Sequence, residues 1–133
     1  MRLAIVGASA RAAAQSALAA GIDVVAADLF ADRDLADRCD ATRITDWPTE
    51  FESWLARQQV DAWCYTGGIE NYPQLVTRMA DLRPLFGCCA DTLTSCRSPT
   101  KLHHLAEEHR FAYPTLRFEP PGVEGGWLLK PIA

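Results

Sequence analysis

Two lysines in the second half of the chain are the residues best suited to bind a charged ligand. Lys130 ends the apolar stretch GWLLK, where a predicted buried strand can carry its ammonium into a cleft. Phosphate is the natural partner of such a compact positive charge. Lys101 lies in the first turns of a predicted helix over 98–109. Residue types alone leave open the alternative that Lys130 is an ordinary solvated lysine.

A first glycine turn could bind an anion. Gly7 ends the first predicted strand and a helix follows directly, so exposed amides and the helix dipole favour negative charge there. A dinucleotide fingerprint needs three glycines, and those positions hold Gly7, Ser9 and Ala12. Asp28 stands where a ribose-binding acid belongs, about 20 residues after the turn. Because two of the three glycines are replaced, the pattern favours a degenerate Rossmann-like turn without a cofactor.

A second glycine turn, TGGIEN (66–71), follows another predicted strand. The carboxyl ends of strands form the ligand edge of an open α/β sheet. Gly68 permits a close approach or a positive φ. Glu70 and Asn71 present a carboxylate and an amide where a helix begins. The alternative is that Asn71 caps this helix and that Glu70 complements its dipole.

Strands that alternate with helices predict an α/β fold, with an open, parallel, Rossmann-like sheet of about five strands and helices on both faces. The predicted strands cover 2–7, 22–28, 42–45, 60–68 and 85–89, and the predicted helices cover 8–21, 46–59, 71–82 and 98–109. The segment 29–41 is predicted to be a loop with one helical turn. A change of character near residue 97 separates a domain of residues 1–96 from a short helix-plus-strand appendage of residues 97–133.

Composition excludes several classes of partner. The net charge is −4 and the 13 basic residues are dispersed, whereas nucleic-acid binding requires a concentrated basic face. No apolar run approaches the roughly 20 residues that a membrane span requires. The chain begins with a strand rather than a signal sequence, so we expect a cytoplasmic protein. The cysteines lack metal-binding spacing and are expected to be reduced thiols: Cys39, Cys64, Cys88, Cys89 and Cys96.

The order of these features resembles the start of an ATP-grasp enzyme. In that superfamily a preATP-grasp domain precedes a nucleotide-binding region, in which a strand carries a phosphate-contacting lysine after apolar residues. The stretch WLLKP is similar to that strand, with Lys130 at the position of the lysine. Lys101 lies thirteen positions before Pro114, where the superfamily often has an earlier lysine.

Two segments are similar to the predicted ATP-dependent carboligases of this superfamily. AADLFADRD resembles their aspartate–phenylalanine loop after strand two, and YTGGIENYPQL resembles their glycine–glutamate segment after strand four. The resemblance implies that residues 1–96 form the preATP-grasp domain and that residues 97–133 are the beginning of a truncated ATP-grasp domain. The substrate-binding residues that it implies are Gly7, Ser9, Gly68 and Glu70.

The activity implied by the resemblance is ATP-dependent ligation. Such enzymes phosphorylate a carboxylate and let an amine or similar nucleophile attack the acyl phosphate, while Lys130 and Lys101 neutralise phosphate charge. The complete enzyme would use ATP and Mg²⁺ and would bind a small-molecule carboxylate, with the metal ligands outside this chain. We therefore expect the 133-residue chain to bind no cofactor tightly and to be inactive as a ligase.

Two alternatives stay open. The chain could be a free-standing nucleotide or dinucleotide binder that uses Gly7 and Asp28. It could also be a non-enzymatic interaction module whose tail docks on a partner or pairs two copies as a homodimer. In that case its exposed apolar side chains would form the contact: Phe111, Tyr113, Phe118 and Trp127.

Overall fold

A computed structural model of the protein describes residues 1–119, 122 and 125–128. Within them, four strands form one sheet: β1 Arg2–Val6, β2 Asp23–Asp28, β3 Asp40–Arg43 and β4 Ala62–Tyr65. The helices are α1 Arg11–Ala19, α2 Arg33–Ala36, α3 Glu50–Arg57, α4 Pro73–Leu82, α5 Ala90–Cys96 and α6 Pro99–Glu108. A 3₁₀ turn, Ile69–Asn71, lies between β4 and α4. The chain divides into two compact units, Met1–Ala90 and Asp91–Ala133.

The sheet is parallel throughout, in the order β3-β2-β1-β4. One of its two inner strands, β1, pairs with β2 on one side and with β4 on the other. A strand with neighbours on both sides and helices on both faces must be apolar along its whole length. Leu3–Val6 meets this requirement and is at most 7% exposed. The predicted α/β fold with a parallel sheet is confirmed.

Helices cover both faces of the sheet. Leu3 and Ile5 point to one face, where they pack in a single cluster with residues of α1 and α2. Side chains alternate along a strand, so Ala4 and its β4 partner Trp63 point to the other face. Trp63 is fully buried, and its indole N–H donates to the carbonyl oxygen of Arg83, just after α4, at 3.1 Å. That face therefore carries α4 and its neighbour α3, which bury apolar stripes made of Phe51, Leu55, Val76 and Met79.

The predicted fifth strand, 85–89, is wrong, because only Leu85 pairs, in one isolated parallel bridge with Trp63. The N–H of Trp63 donates to the carbonyl oxygen of Pro84 at 2.9 Å, and the N–H of Phe86 donates back to Trp63 at 2.7 Å. Pro84 has no N–H with which to extend the pairing before Leu85, and residues 86–89 form no strand after it. Within the described residues the sheet consequently has four strands rather than about five.

Other elements differ from the prediction mainly in their limits. The helical turn expected within 29–41 is α2, and β3 begins two residues before the predicted start at residue 42. α4 begins only at Pro73, because the 3₁₀ turn precedes it. Sequence analysis assigned no element to α5, whose sequence ADTLTSC is poor in strong helix formers.

The second unit contains α6, whose predicted start is confirmed. Pro99 is the first residue of the helix, and the Ser98 hydroxyl accepts the main-chain N–H of Lys101 at 3.3 Å. Gly126, Trp127 and Leu128 are in no strand, and Leu129 and Lys130 of the predicted final strand lie outside the described residues. No helix in the described part of the chain is long and apolar enough to cross a membrane.

Candidate functional site

The carboxyl ends of β1 and β4 form the edge of the sheet at which a ligand is expected. In an open parallel sheet, ligands bind where the strand order reverses, and here the order reverses between these two strands. The loops that follow them, residues 7–10 and 66–71, are called the β1–β4 edge below. The two loops contain all four residues that the sequence predicts on the substrate side: Gly7, Ser9, Gly68 and Glu70.

Hydrogen bonds join the two loops of the β1–β4 edge. The N–H of Ala8 donates to the carbonyl oxygen of Gly67 at 2.9 Å, and the Thr66 hydroxyl donates to the carbonyl oxygen of Ser9 at 2.9 Å. The N–H of Thr66 also donates to the carbonyl oxygen of Val6 at 2.8 Å, which continues the strand pairing. Sequence analysis missed Thr66, although a hydroxyl residue between a strand and two glycines was an available signal.

Gly7 allows the two loops to approach each other. A Cβ atom at this position would overlap the Thr66 hydroxyl oxygen. Gly7 is buried, and its N–H donates to the carbonyl oxygen of Ala27 at 3.3 Å. Its contribution to the site is therefore the close packing of the loops, since its own donor is already used.

Gly68 packs against an aromatic ring that sequence analysis did not include. It has a φ of +99°, and a Cβ atom would lie 2.8 Å from Cζ2 and 2.9 Å from Cη2 of Trp47. The indole N–H of Trp47 donates to the Tyr72 hydroxyl at 3.3 Å, and the two rings meet edge to face. Gly68 therefore has both the positive φ and the close approach that its sequence position predicted, and the close approach is to Trp47.

Several polar groups at the β1–β4 edge are available to a ligand. The main-chain N–H groups of Ser9, Gly67 and Gly68 have no acceptor among the described residues, and the Ser9 side chain is exposed. Amides of this kind, next to the N-terminal end of a helix, bind carboxylate or phosphate oxygens well. These groups give the edge a set of donors for an anionic group.

Glu70 supplies the negative charge of the β1–β4 edge. It is half-buried, and its carboxylate forms no hydrogen bond or ion pair with another described residue. Burial raises the pKa of the Tyr65 phenol, and the nearby Cys88 thiol and Glu70 carboxylate raise it further. The phenol hydroxyl donates to the carbonyl oxygen of Cys88 at 2.7 Å. Glu70 is thus a carboxylate beside a neutral phenol, free to interact with a cationic group.

Asn71 does not cap α4, which corrects the alternative reading of this residue. The N-cap position of α4 is Tyr72, and no side chain caps this helix. The Asn71 amide group instead donates to the carbonyl oxygen of Gly68 at 3.2 Å, within the same turn.

On the β2 side of β1, the Asp28 carboxylate binds the main-chain N–H groups of the loops. Asp28 is fully buried, and its Oδ2 accepts the N–H of Ala10 at 2.9 Å. Its Oδ1 accepts the N–H groups of Phe30 at 2.9 Å and Ala31 at 2.7 Å. The loops after β1 and β2, residues 7–10 and 28–32, are called the β1–β2 edge. With both Asp28 oxygens engaged, a ribose hydroxyl could reach this carboxylate only by displacing these bonds.

Lys101, the first of the two predicted nucleotide-binding lysines, belongs to the second unit. Lys101 is exposed, and its ammonium donates to the Ser95 hydroxyl at 3.2 Å. This places the charge near the start of α6 and leaves it accessible to an anion. Lys130 lies outside the described residues, so its predicted contact with phosphate stays a prediction.

No cluster of three or more histidine, cysteine or acidic side chains in the described part of the chain could hold a metal ion. The cysteines among these residues form no disulfide. Burial raises the pKa of the Cys64 thiol and, together with Asp40 and Asp28, that of Cys39. A raised pKa lowers the thiolate fraction that reacts with oxidants and metals.

No protein-family model matches this chain, and no curated protein matches it. The fold and the site define a class: an α/β protein with an all-parallel sheet, whose strand order reverses beside a polar, two-loop edge.

Proposed function

We propose that this chain is the substrate-side domain, with the beginning of the nucleotide-side domain, of an ATP-grasp ligase of the carboligase type. The single observation that carries the proposal is the β1–β4 edge, where the hydrogen-bonded loops hold every substrate-side residue that the sequence resemblance implies. The strand order supports a Rossmann-like preATP-grasp domain, because β3-β2-β1-β4 is the order of the first four strands of a doubly wound sheet. The proposed domain limits are 1–96 and 97–133.

The proposed reaction joins a carboxylate to an amine or a similar nucleophile through an acyl phosphate. The terminal phosphoryl group of ATP passes to the carboxylate, and the nucleophile then displaces phosphate. At the β1–β4 edge, the unpaired N–H groups of Ser9, Gly67 and Gly68 would hold an oxyanion of the substrate. The carboxylate of Glu70 would attract an ammonium group of the same or the second substrate.

On the nucleotide side, Lys130 and Lys101 would neutralise phosphate charge during transfer. ATP-grasp enzymes use Mg²⁺ for the same purpose. Among the described residues no acidic cluster fits a metal ion, so we assign no Mg²⁺ ligand and no metal-dependent step to this chain. Lysine and main-chain donors are the parts of the reaction machinery that we assign here.

The dinucleotide alternative has less support than the ligase. It requires Asp28 to accept hydrogen bonds from a ribose, but the carboxylate is buried and already accepts three main-chain N–H groups. It also requires close approach of a pyrophosphate to a turn in which Ser9 and Ala12 replace glycines.

A second candidate function is supported by the exposed apolar side chains of the second unit. Four large ones are at least half exposed: Leu105 at 50%, Phe111 at 72%, Phe118 at 69% and Leu128 at 77%. A contiguous patch of such side chains would mark a contact surface. Light scattering tests this candidate, because a concentration-dependent dimer would support it and a strict monomer would count against it.

A thermal-shift panel tests the proposed acceptor site on the 133-residue chain. The panel contains small mono- and dicarboxylates, amino acids and NAD⁺. We expect at least one carboxylate or amino acid to raise Tm saturably, by about 5 °C at ten times its Kd, because ligand binding stabilises the native state. NAD⁺ should leave Tm unchanged.

The variant Glu70→Gln separates this site from nonspecific effects. It should weaken the response to amino acids more than the response to simple carboxylates, because only the former carry an ammonium group. Glu108→Gln is the matched control, since Glu108 is exposed on α6 in the second unit. Stabilisation by NAD⁺, without any response to carboxylates or amino acids, would contradict the proposal.

A further inference from the structure

The β1–β2 edge contains an anion that belongs to the protein itself. The N-terminal end of α1 is a place where main-chain N–H groups and the helix dipole favour negative charge. The Asp28 carboxylate fills it: Oδ2 accepts the N–H of Ala10, at the N-cap of α1, at 2.9 Å. Asp28 is 0% exposed, so it is held there by the fold rather than presented to solvent.

A buried carboxylate is tolerated only when donors satisfy it. The two N–H groups that bind Oδ1 come from the loop after β2, at Phe30 and Ala31. Ala31 has a φ of +45°, a left-handed conformation that a non-glycine residue keeps only when its surroundings hold it. The loop therefore has the conformation that brings its donors to Asp28.

Further contacts on this side also act against an external anion. The N–H of Leu29 donates to the carbonyl oxygen of Ala8 at 3.4 Å, which joins the two loops of the β1–β2 edge. Arg11, the first residue of α1, lies 3.5 Å from Asp32 and 3.6 Å from Asp34. The Arg11 guanidinium is thus already shared by two carboxylates.

We propose that Asp28 is a specificity-determining residue, an internal anion that closes the β1–β2 edge to phosphate-bearing ligands and confines ligand binding to the β1–β4 edge. A phosphate could reach the N–H of Ala10 only by replacing the Asp28 carboxylate, and the two negative charges repel each other. The proposal goes beyond the ligase function, because it applies to any ligand of the β1–β4 edge.

The test compares wild type with Asp28→Ala and Asp28→Asn, using inorganic phosphate as the probe and chloride at matched ionic strength as the reference. Asp23→Ala is the matched control, because Asp23 begins the same strand, at the opposite end of the sheet, and its side chain is 68% exposed. Tm is measured against phosphate concentration. In parallel, the main-chain amide resonances of Ala10, Phe30 and Ala31 are followed by NMR in each folded protein.

Removal of the carboxylate should open an anion position at the N-terminal end of α1. We expect phosphate to raise the Tm of the folded Asp28 variants by about 5 °C at ten times its Kd, and to move the Ala10 resonance. In wild type and Asp23→Ala, phosphate can act only at the β1–β4 edge, so their Tm should rise less than that of the Asp28 variants, and their Phe30 and Ala31 resonances should not move.

Two results would overturn the proposal. One is a saturable phosphate-induced shift of the Ala10, Phe30 and Ala31 resonances in the wild-type protein, which requires no variant to fold. The other is a phosphate response of the folded Asp28 variants that is no larger than that of Asp23→Ala.

Discussion

The β1–β4 edge and the β1–β2 edge share one loop, residues 7–10. They differ in whether their main-chain N–H donors have an acceptor. Toward β4, the N–H groups of Ser9 and Gly68 have no acceptor among the described residues, and Glu70 is unpaired in the same part of the chain. Toward β2, Asp28 accepts three N–H groups and is inaccessible. The two edges therefore differ in whether their main-chain donors have an acceptor, although both follow parallel strands.

The largest expected effect on the free energy of unfolding comes from a substitution at the β1–β2 edge. Asp28→Ala leaves one buried and two partly buried main-chain donors without an acceptor and should lower the free energy of unfolding by about 3–5 kcal/mol. Asp23→Ala, which removes an exposed carboxylate from the same strand, should change it by less than about 0.5 kcal/mol. Urea denaturation of both variants measures the difference. Equal losses would mean that Asp28 does not hold the β1–β2 edge together.

Two adjacent glycines test the packing of the β1–β4 edge. Gly68→Ala introduces a Cβ 2.8 Å from the Trp47 ring at a φ of +99°, and should cost about 1–3 kcal/mol of unfolding free energy. Gly67→Ala meets no atom within 4 Å and should be nearly neutral in stability. Denaturation curves of the two variants measure their free energies of unfolding. If Gly67→Ala lowered this free energy as much as Gly68→Ala, the packing of Gly68 against Trp47 would be contradicted.

A smaller effect on stability is expected from loss of the hydrogen bond between the two loops of the β1–β4 edge. Thr66→Val keeps the shape of the side chain but removes the hydroxyl that donates to Ser9, and should cost about 0.5–1.5 kcal/mol. It should also speed amide hydrogen exchange in the loop after β1. Thr77→Val is the control, because the Thr77 hydroxyl bonds only to Pro73 within α4. Unchanged exchange in Thr66→Val would show that this bond does not fix the loop.

The smallest effect concerns the loop that carries Trp47. Main-chain N–H groups of Thr45 and Asp46 donate to the Glu50 carboxylate at 3.0 and 3.4 Å and lower its pKa from the ordinary value of 4.5. The stabilisation is therefore present above pH 4.5 and is lost as the pH falls through the lowered folded-state pKa. Glu50→Gln should be less stable than wild type at neutral pH, and the gap should shrink on acidification. A gap that stays constant with pH would refute this linkage.

The parallel sheet and the position of the two loops of the β1–β4 edge could be predicted from sequence because they follow from local pattern. Continuous apolar runs identify β1 and β2, and glycine turns directly after strands identify the edge. The run at 85–89 was misassigned because apolar composition cannot distinguish a strand from a single bridge residue. How far the pairing extends past Leu85 depends on contacts with β4, which the local pattern does not encode.

The details of the site could not be predicted because they depend on contacts between distant parts of the chain. Trp47 reaches Gly68 from the loop between β3 and α3, and no local pattern encodes that approach. Asp28 has the sequence position of a ribose-binding acid, but its direction depends on donors at Ala10 and Ala31, and the latter is in a left-handed conformation. The direction of a side chain at the end of a strand depends on the folded conformation of the loops around it, which the local sequence does not give.

The central claim is that ligands bind at the β1–β4 edge, and amide chemical-shift mapping of the wild-type chain tests it most directly. The chain is titrated with the carboxylate or amino acid that gives the largest thermal shift. We predict saturable shifts at Ser9, Gly67, Gly68 and Glu70, with Phe30 and Ala31 unmoved. Saturable shifts confined to Phe30, Ala31 or the second unit would contradict the account.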